Sequence, residues 1–208
     1  DQVAVAIENA RLYAAEQEEA WVSTALLQVA EVLANLTGLD EVLDAITRLV
    51  PLLVGVDCNF VFLRDEGTGR FEAVRAHGLG GARREALLGQ GLEALAPALW
   101  QALQGSVGPL PVRADTPALS RELEVSLGLT SGLALPLKAG GEMIGVLVAG
   151  YEEAANRLSR TRQAILTGIA NQAAMAIRNA HLYIAQREEA WVSTALLQVS
   201  ELAGRSRD

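Results

Sequence analysis

The chain has 208 residues, half of them hydrophobic but only 4% aromatic, and a formal net charge of −8. That length suits one domain with a real core, here aliphatic and alanine-rich, while the acidic balance disfavours a nucleic-acid or anionic-membrane partner, either of which needs a basic patch. No window approaches the roughly 18 to 20 unbroken apolar residues of a membrane span, no stretch reads as a signal peptide, and a single cysteine, unable to form an internal disulfide, fits a reducing cytoplasm.

Residues 1–36 contain neither proline nor glycine and read as one helix. Val3, Ile7, Ala10, Ala14, Trp21 and Thr24 fall at alternating steps of three and four, close to a coiled-coil seam with Gln17 interrupting. Thr37-Gly38 ends that helix, and Asp40 is expected to cap a second, DEVLDAITRLVPLLVG, with a kink or early end at Pro51. A hairpin follows: CNFVFLR (58–64), the turn residues DEGTG (65–69), then RFEAVRAHG (70–78).

Residues 79–105 return to helical character between several glycines. Pro109 and Pro111 flank a short strand near Leu110–Arg113, and TPALSRELEVSLGL (116–129) reads as a helix with Thr116 as cap and Pro117 in its first turn. The second hairpin is SGLALPLKAGGEMIGVLVAGY (131–151), two apolar strands joined by Ala-Gly-Gly. A last helix runs from about Ser159 to Leu202; forty residues at 1.5 Å each make it roughly 60 Å long, more than one compact domain needs. Two hairpins separated by helices predict an antiparallel sheet with helices packed on it, an α+β arrangement.

The ends of the chain repeat each other. EEAWVSTALLQV stands at 18–29 and again at 188–199, and residues 1–31 match 171–201 at 22 of 31 positions, at a constant offset of 170. That period is too long for a solenoid repeat and right for one globular domain. The expectation is one period of a tandem array: residues 1–21 continue from an upstream domain, 22–180 form the domain, and 181–208 leave it and begin the next repeat.

GVDCNFVFLRDEGTGRFEAVRAHGL (55–79), followed by LGLTSGLALPLKAGGEMIGVLVAGY (127–151), resembles a GAF domain, most of all in the "PL" strand, the glycine turn and "IGVLVAG". The resemblance covers roughly residues 22–180. It implies a GAF/PAS-like antiparallel sheet of order 2-1-5-4-3, with the long terminal helices on one face and crossover helices and a small-molecule pocket on the other. It also implies a regulatory input domain, often in tandem, joined by long helices to an output domain.

The family's chemistries find little purchase. Cys58 is followed by Asn59 and Phe60, not by the histidine that often accompanies a bilin-bearing cysteine, and methionine sulfoxide reduction needs a second thiol. Lys138, the sole lysine, is not preceded by the asparagine of a cyclic-nucleotide signature. His77 lacks evident metal partners, and His181 replaces Arg11 of the first copy, as on a solvated helix face. No catalytic residue, cofactor or metal is therefore expected, and the chain is not read as an enzyme.

A pocket, by layer geometry, would have Phe60 or Phe62 as floor, with Cys58, His77 and Trp100 around it. Ile7, Ala10, Trp21, Ile177, Ala180, Ile184 and Trp191 are the candidates for helices that pair two chains. Three readings follow: a sensory module that forms a homodimer through its terminal helices and relays a signal, with or without a small molecule; a ligand-free spacer scaffold; and, last, a cysteine-dependent reductase.

Overall fold

The computed structural model describes residues 2–106, 108–112, 117–153 and 158–205, and for 2, 4, 10, 11, 14, 15, 117–120, 188, 189 and 192–205 the backbone alone. In chain order the elements are α1 (Gln2–Ala34), α2 (Leu39–Val54), β1 (Cys58–Arg64), β2 (Phe71–His77), α3 (Gly81–Leu87), α4 (Leu92–Leu95), α5 (Pro97–Gln104), β3 (Leu110–Val112), α6 (Pro117–Leu127), β4 (Ser131–Ala139), β5 (Glu142–Tyr151) and α7 (Arg160–Arg205). The strands form one antiparallel sheet of order β2-β1-β5-β4-β3. This is the α+β class and the strand order expected.

Local chemistry explains each pairing. The β4–β5 turn passes through Gly140 and Gly141, both at positive φ (63° and 88°), the backbone twist a tight hairpin needs. Pro111 cannot donate to a ladder, and β3 accordingly lies at the sheet edge. β1 is buried on both faces, so its apolar run is continuous: Phe60 and Phe62 point to one layer, Val61 and Leu63 to the other.

The helix-side layer packs α2, the second half of α1 and the first half of α7 on Val61, Leu63, Leu135 and Leu147. The opposite layer packs α3 to α6 on Phe60, Phe62, Ala134, Val146 and Val148. α1 and α7 run parallel: Thr161 Oγ1 donates to Glu18 Oε2 (3.1 Å), Leu26 sits over Gly168, and Ala30–Thr37 shares a groove with Gln172–Tyr183. Gly168 has a steric reason, since a Cβ there would stand 2.3 Å from Leu26 Cδ2.

Two boundaries differ from expectation. Asp40 does not cap α2; Gly38 holds that position without a side-chain bond, and the Asp40 carboxylate instead meets Arg75 of β2, which also bonds Asp44 Oδ1 at 2.8 Å. Pro51 does not end α2, which continues to Val54. A proline has no N–H, so the Thr47 carbonyl loses its usual helical donor. Asn59 Nδ2, fully buried on β1, donates to that carbonyl at 3.1 Å in its place. Pro117 opens α6 as read, while Thr116 lies outside the described residues.

Candidate functional site

The sequence-derived pocket residues come together only in part, and as packed core. Cys58, Phe60 and Phe62 lie on one face of β1, fully buried under Leu99 and Leu103 of α5 and Leu123 and Leu127 of α6. Trp100 reaches the edge of this layer and stacks at a tilt on Phe71, ring centroids 4.9 Å apart. His77 ends β2 and is exposed, away from the floor it was expected to rim. Among the described residues, the leucines of α5 and α6 share one buried cluster with Phe60 and Phe62.

Cys58 has a specific environment. Its thiol donates to Glu152 Oε1 at 3.4 Å. Burial first, then the Glu152 hydrogen bond and the charges of Glu152 and Asp57, push its pKa up to about 12 against an opposing pull from Arg83. A nucleophilic cysteine needs its thiolate. This thiol stays protonated at neutral pH.

The crossover layer also uses its own carboxylate where an anion would otherwise bind. Glu122 of α6 accepts from the backbone N–H groups of Ala98 (3.0 Å) and Leu99 (3.2 Å), the free donors at the start of α5. An acidic group is favoured there by the helix dipole and unpaired amides. Nothing local in the sequence signals this, because the two partners are separated by a loop and a strand.

Among the described residues, clefts lie on the helix side. A cleft of about 490 Å³ separates the β1–β2 turn from α7, lined by Leu63, Asp65, Glu66, Glu72, His181 and Ile184 among others. His181, expected on a solvated face, is half-buried there, with Nδ1 3.9 Å from Glu66 Oε1. A second groove of about 360 Å³ runs between α1 and α7, past Ala30, Leu33, Met175, Ala176 and Tyr183. None of these residues belongs to the expected pocket; the pairing of α1 with α7 makes the groove, and no local motif announces it.

The expected pairing helices need a correction. Ile177 and Ala180 are buried in the chain's own core and offer no surface to a partner chain. The reason is that the first half of α7 closes the sheet, a demand as apolar as a coiled-coil seam and nearly the same in period. Ile7, Trp21, Ile184 and Trp191 are exposed, and the side chain of Ala10 lies outside the described residues. Among the described residues no helix is long and apolar enough to cross a membrane, and no group of three His, Cys, Asp or Glu could hold a metal ion.

A five-stranded 2-1-5-4-3 sheet between a terminal-helix layer and a crossover layer defines a class, and residues 37–178 match the sequence model of the GAF domain. The chain belongs to the GAF domain family. It shares its fold with the GAF domain of a phosphoenolpyruvate-protein phosphotransferase from Acinetobacter (19% identity, 76% of this chain and 93% of that one, TM-score 0.60). Similar too are the phycoerythrobilin-bound GAF domain of a cyanobacterial phytochrome (19%, 77% and 96%, 0.59) and the GAF domain of a putative sensor histidine kinase from Pseudomonas syringae pv. tomato (17%, 86% and 99%, 0.59). No curated protein matches the chain.

Proposed function

We propose that the chain is a sensory or regulatory GAF module, not an enzyme, that pairs with a second copy through its terminal helices and relays a signal along α7 to a downstream output domain. In this reading residues 1–21 connect from an upstream domain, 22–180 form the module, 181–208 lead into the next repeat, and the setting is cytoplasmic. One observation carries it: α7 is core for the sheet through Ile165, Ile169, Ala173 and Ile177, then continues as helix to Arg205. A repacking of the sheet therefore acts directly on a rod that leaves the domain. A ligand biases such a rod only by binding two packings with different affinity. Exposed Leu27 and Val32 on α1, with Met175 and Leu182 on α7, supply apolar surface for a twin chain.

Sedimentation velocity and native mass spectrometry of the purified chain test this together. A dimer is expected; a monomer at all concentrations up to the millimolar range refutes the pairing. A small molecule retained in the native spectrum supports the ligand arm.

The full burial of Phe60 and Phe62 beside leucines of α5 and α6 favours a second reading, a GAF scaffold with no ligand. A small molecule seated directly on Phe60 and Phe62 would have to displace the leucines of α5 and α6 buried with them. A colourless sample with no thermal shift across a metabolite panel supports the scaffold. The buried, protonated Cys58 counts against a reductase, and unchanged reductase activity in Cys58→Ser would dispose of it.

A further inference from the structure

The internal repeat and the burial pattern together say what belongs on the exposed half of α1. Within 171–187 the buried positions are Ala173, Ala174, Ala176, Ile177 and Ala180. Their counterparts at the 170-residue offset are Val3, Ala4, Ala6, Ile7 and Ala10: four identical, the fifth still a small apolar residue. Of the ten exposed positions in the same stretch four are identical and six differ, some with a change of charge: Arg178 against Glu8, Gln186 against Glu16 and Arg187 against Gln17. The two copies have kept the face that closes a sheet more fully than the face that meets solvent.

The same face has opposite fates in the two copies. Ala173 and Ile177 are 0% exposed, while Val3 and Ile7 are 72% and 50% exposed. Nothing in α1 itself accounts for a retained sheet-closing pattern that closes no sheet.

We infer that the Val3–Ile7–Ala10 face of α1 is seated under the helix-side sheet face of a preceding GAF-fold domain in the same chain, as Ala173–Ile177–Ala180 is seated under this one. One helix is then a core element of two successive domains: its first half closes one sheet, and its second half, through Ala25, Val29 and Leu33, packs into the next. The inference rests on the reading of the terminal helices as connectors but not on dimerisation, so a monomeric chain would refute the pairing and leave it standing.

The test is a concatenated chain in which residues 1–170 precede the intact 208-residue chain, so that Ile7 of the second unit stands where Ile177 would close the first. Ile7→Asp in the single chain is expected to leave its melting temperature within about 2 °C, as for an exposed site. Ile177→Asp in the single chain should abolish its cooperative transition. Ile7→Asp in the second unit of the concatenate should abolish the first unit's transition and spare the second's. Survival of both units overturns the inference, as does a single chain destabilised by Ile7→Asp. Should the concatenate not fold, a single chain with residues 171–187 replaced by 1–17, Ala173 kept, decides the matter: a melting temperature within about 5 °C of the parent supports the inference, and loss of the transition overturns it.

Discussion

Replacing Asn59 by alanine isolates the one polar group that lets α2 contain a proline. Asn59 Nδ2 is the donor to the Thr47 carbonyl that Pro51 leaves free, and both Asn59 and Thr47 are buried. Loss of the bond is worth about 1 kcal/mol, and a buried carbonyl left without a donor about 1–3 kcal/mol more. Against this, Asn59 Oδ1 is buried without a hydrogen-bond partner among the described residues, and its removal offsets part of the loss. The net is about 2 kcal/mol, or roughly 4–8 °C in melting temperature for a domain of this size. In a Pro51→Ala background residue 51 regains an N–H and can bond Thr47 along the helix. There the same Asn59→Ala change should cost less than about 1 kcal/mol, giving a coupling near 1–1.5 kcal/mol in a double-mutant cycle read by urea unfolding. Equal costs in the two backgrounds, within about 0.5 kcal/mol, would refute the argument that the asparagine substitutes for the proline's missing donor.

Three further outcomes follow from the crossover layer. The Cys58 thiol is held at about 12, above its ordinary value of 9.0, so the folded chain prefers the neutral form. Its contribution to stability is whole below pH 9 and is lost as pH rises through 12; Cys58→Ala should flatten that part of the stability–pH curve, and a slope unchanged in the variant would sink the assignment. Iodoacetamide at pH 8 should label the native chain at least about 100-fold more slowly than the urea-unfolded one. Glu122→Ala should lower stability by about 1–2 kcal/mol through the lost acceptor at α5, with Glu122→Gln intermediate because one neutral oxygen remains. Equal urea midpoints for all three chains would show that the cap carries nothing.

Much of the architecture was legible in one dimension because it is periodic or local. The aromatic and β-branched content of CNFVFLR, the double glycine of KAGGE and the proline-bounded segment before Val112 marked strands and turns through backbone preferences that act within a few residues. The pocket residues were harder. Spacing puts Phe60 and Phe62 on one face of a strand, but whether that face holds a cavity depends on leucines contributed by α5 and α6, far along the chain. Glu122 and Asn59 were missed for the same reason: each meets a backbone group made available by a distant element.

The terminal helices divide the credit most clearly. Sequence alone determined that they are long, that they are copies, and that one stripe of each is apolar, because helix length and amphipathic period are properties of consecutive residues. Only the tertiary structure decided what that stripe touches. Ile177 and Ile7 are the same letter at the same place in the repeat, yet one is enclosed by a sheet and the other faces solvent. Burial belongs to the neighbours a side chain meets in space, and a one-dimensional pattern can state the need for a neighbour without naming it.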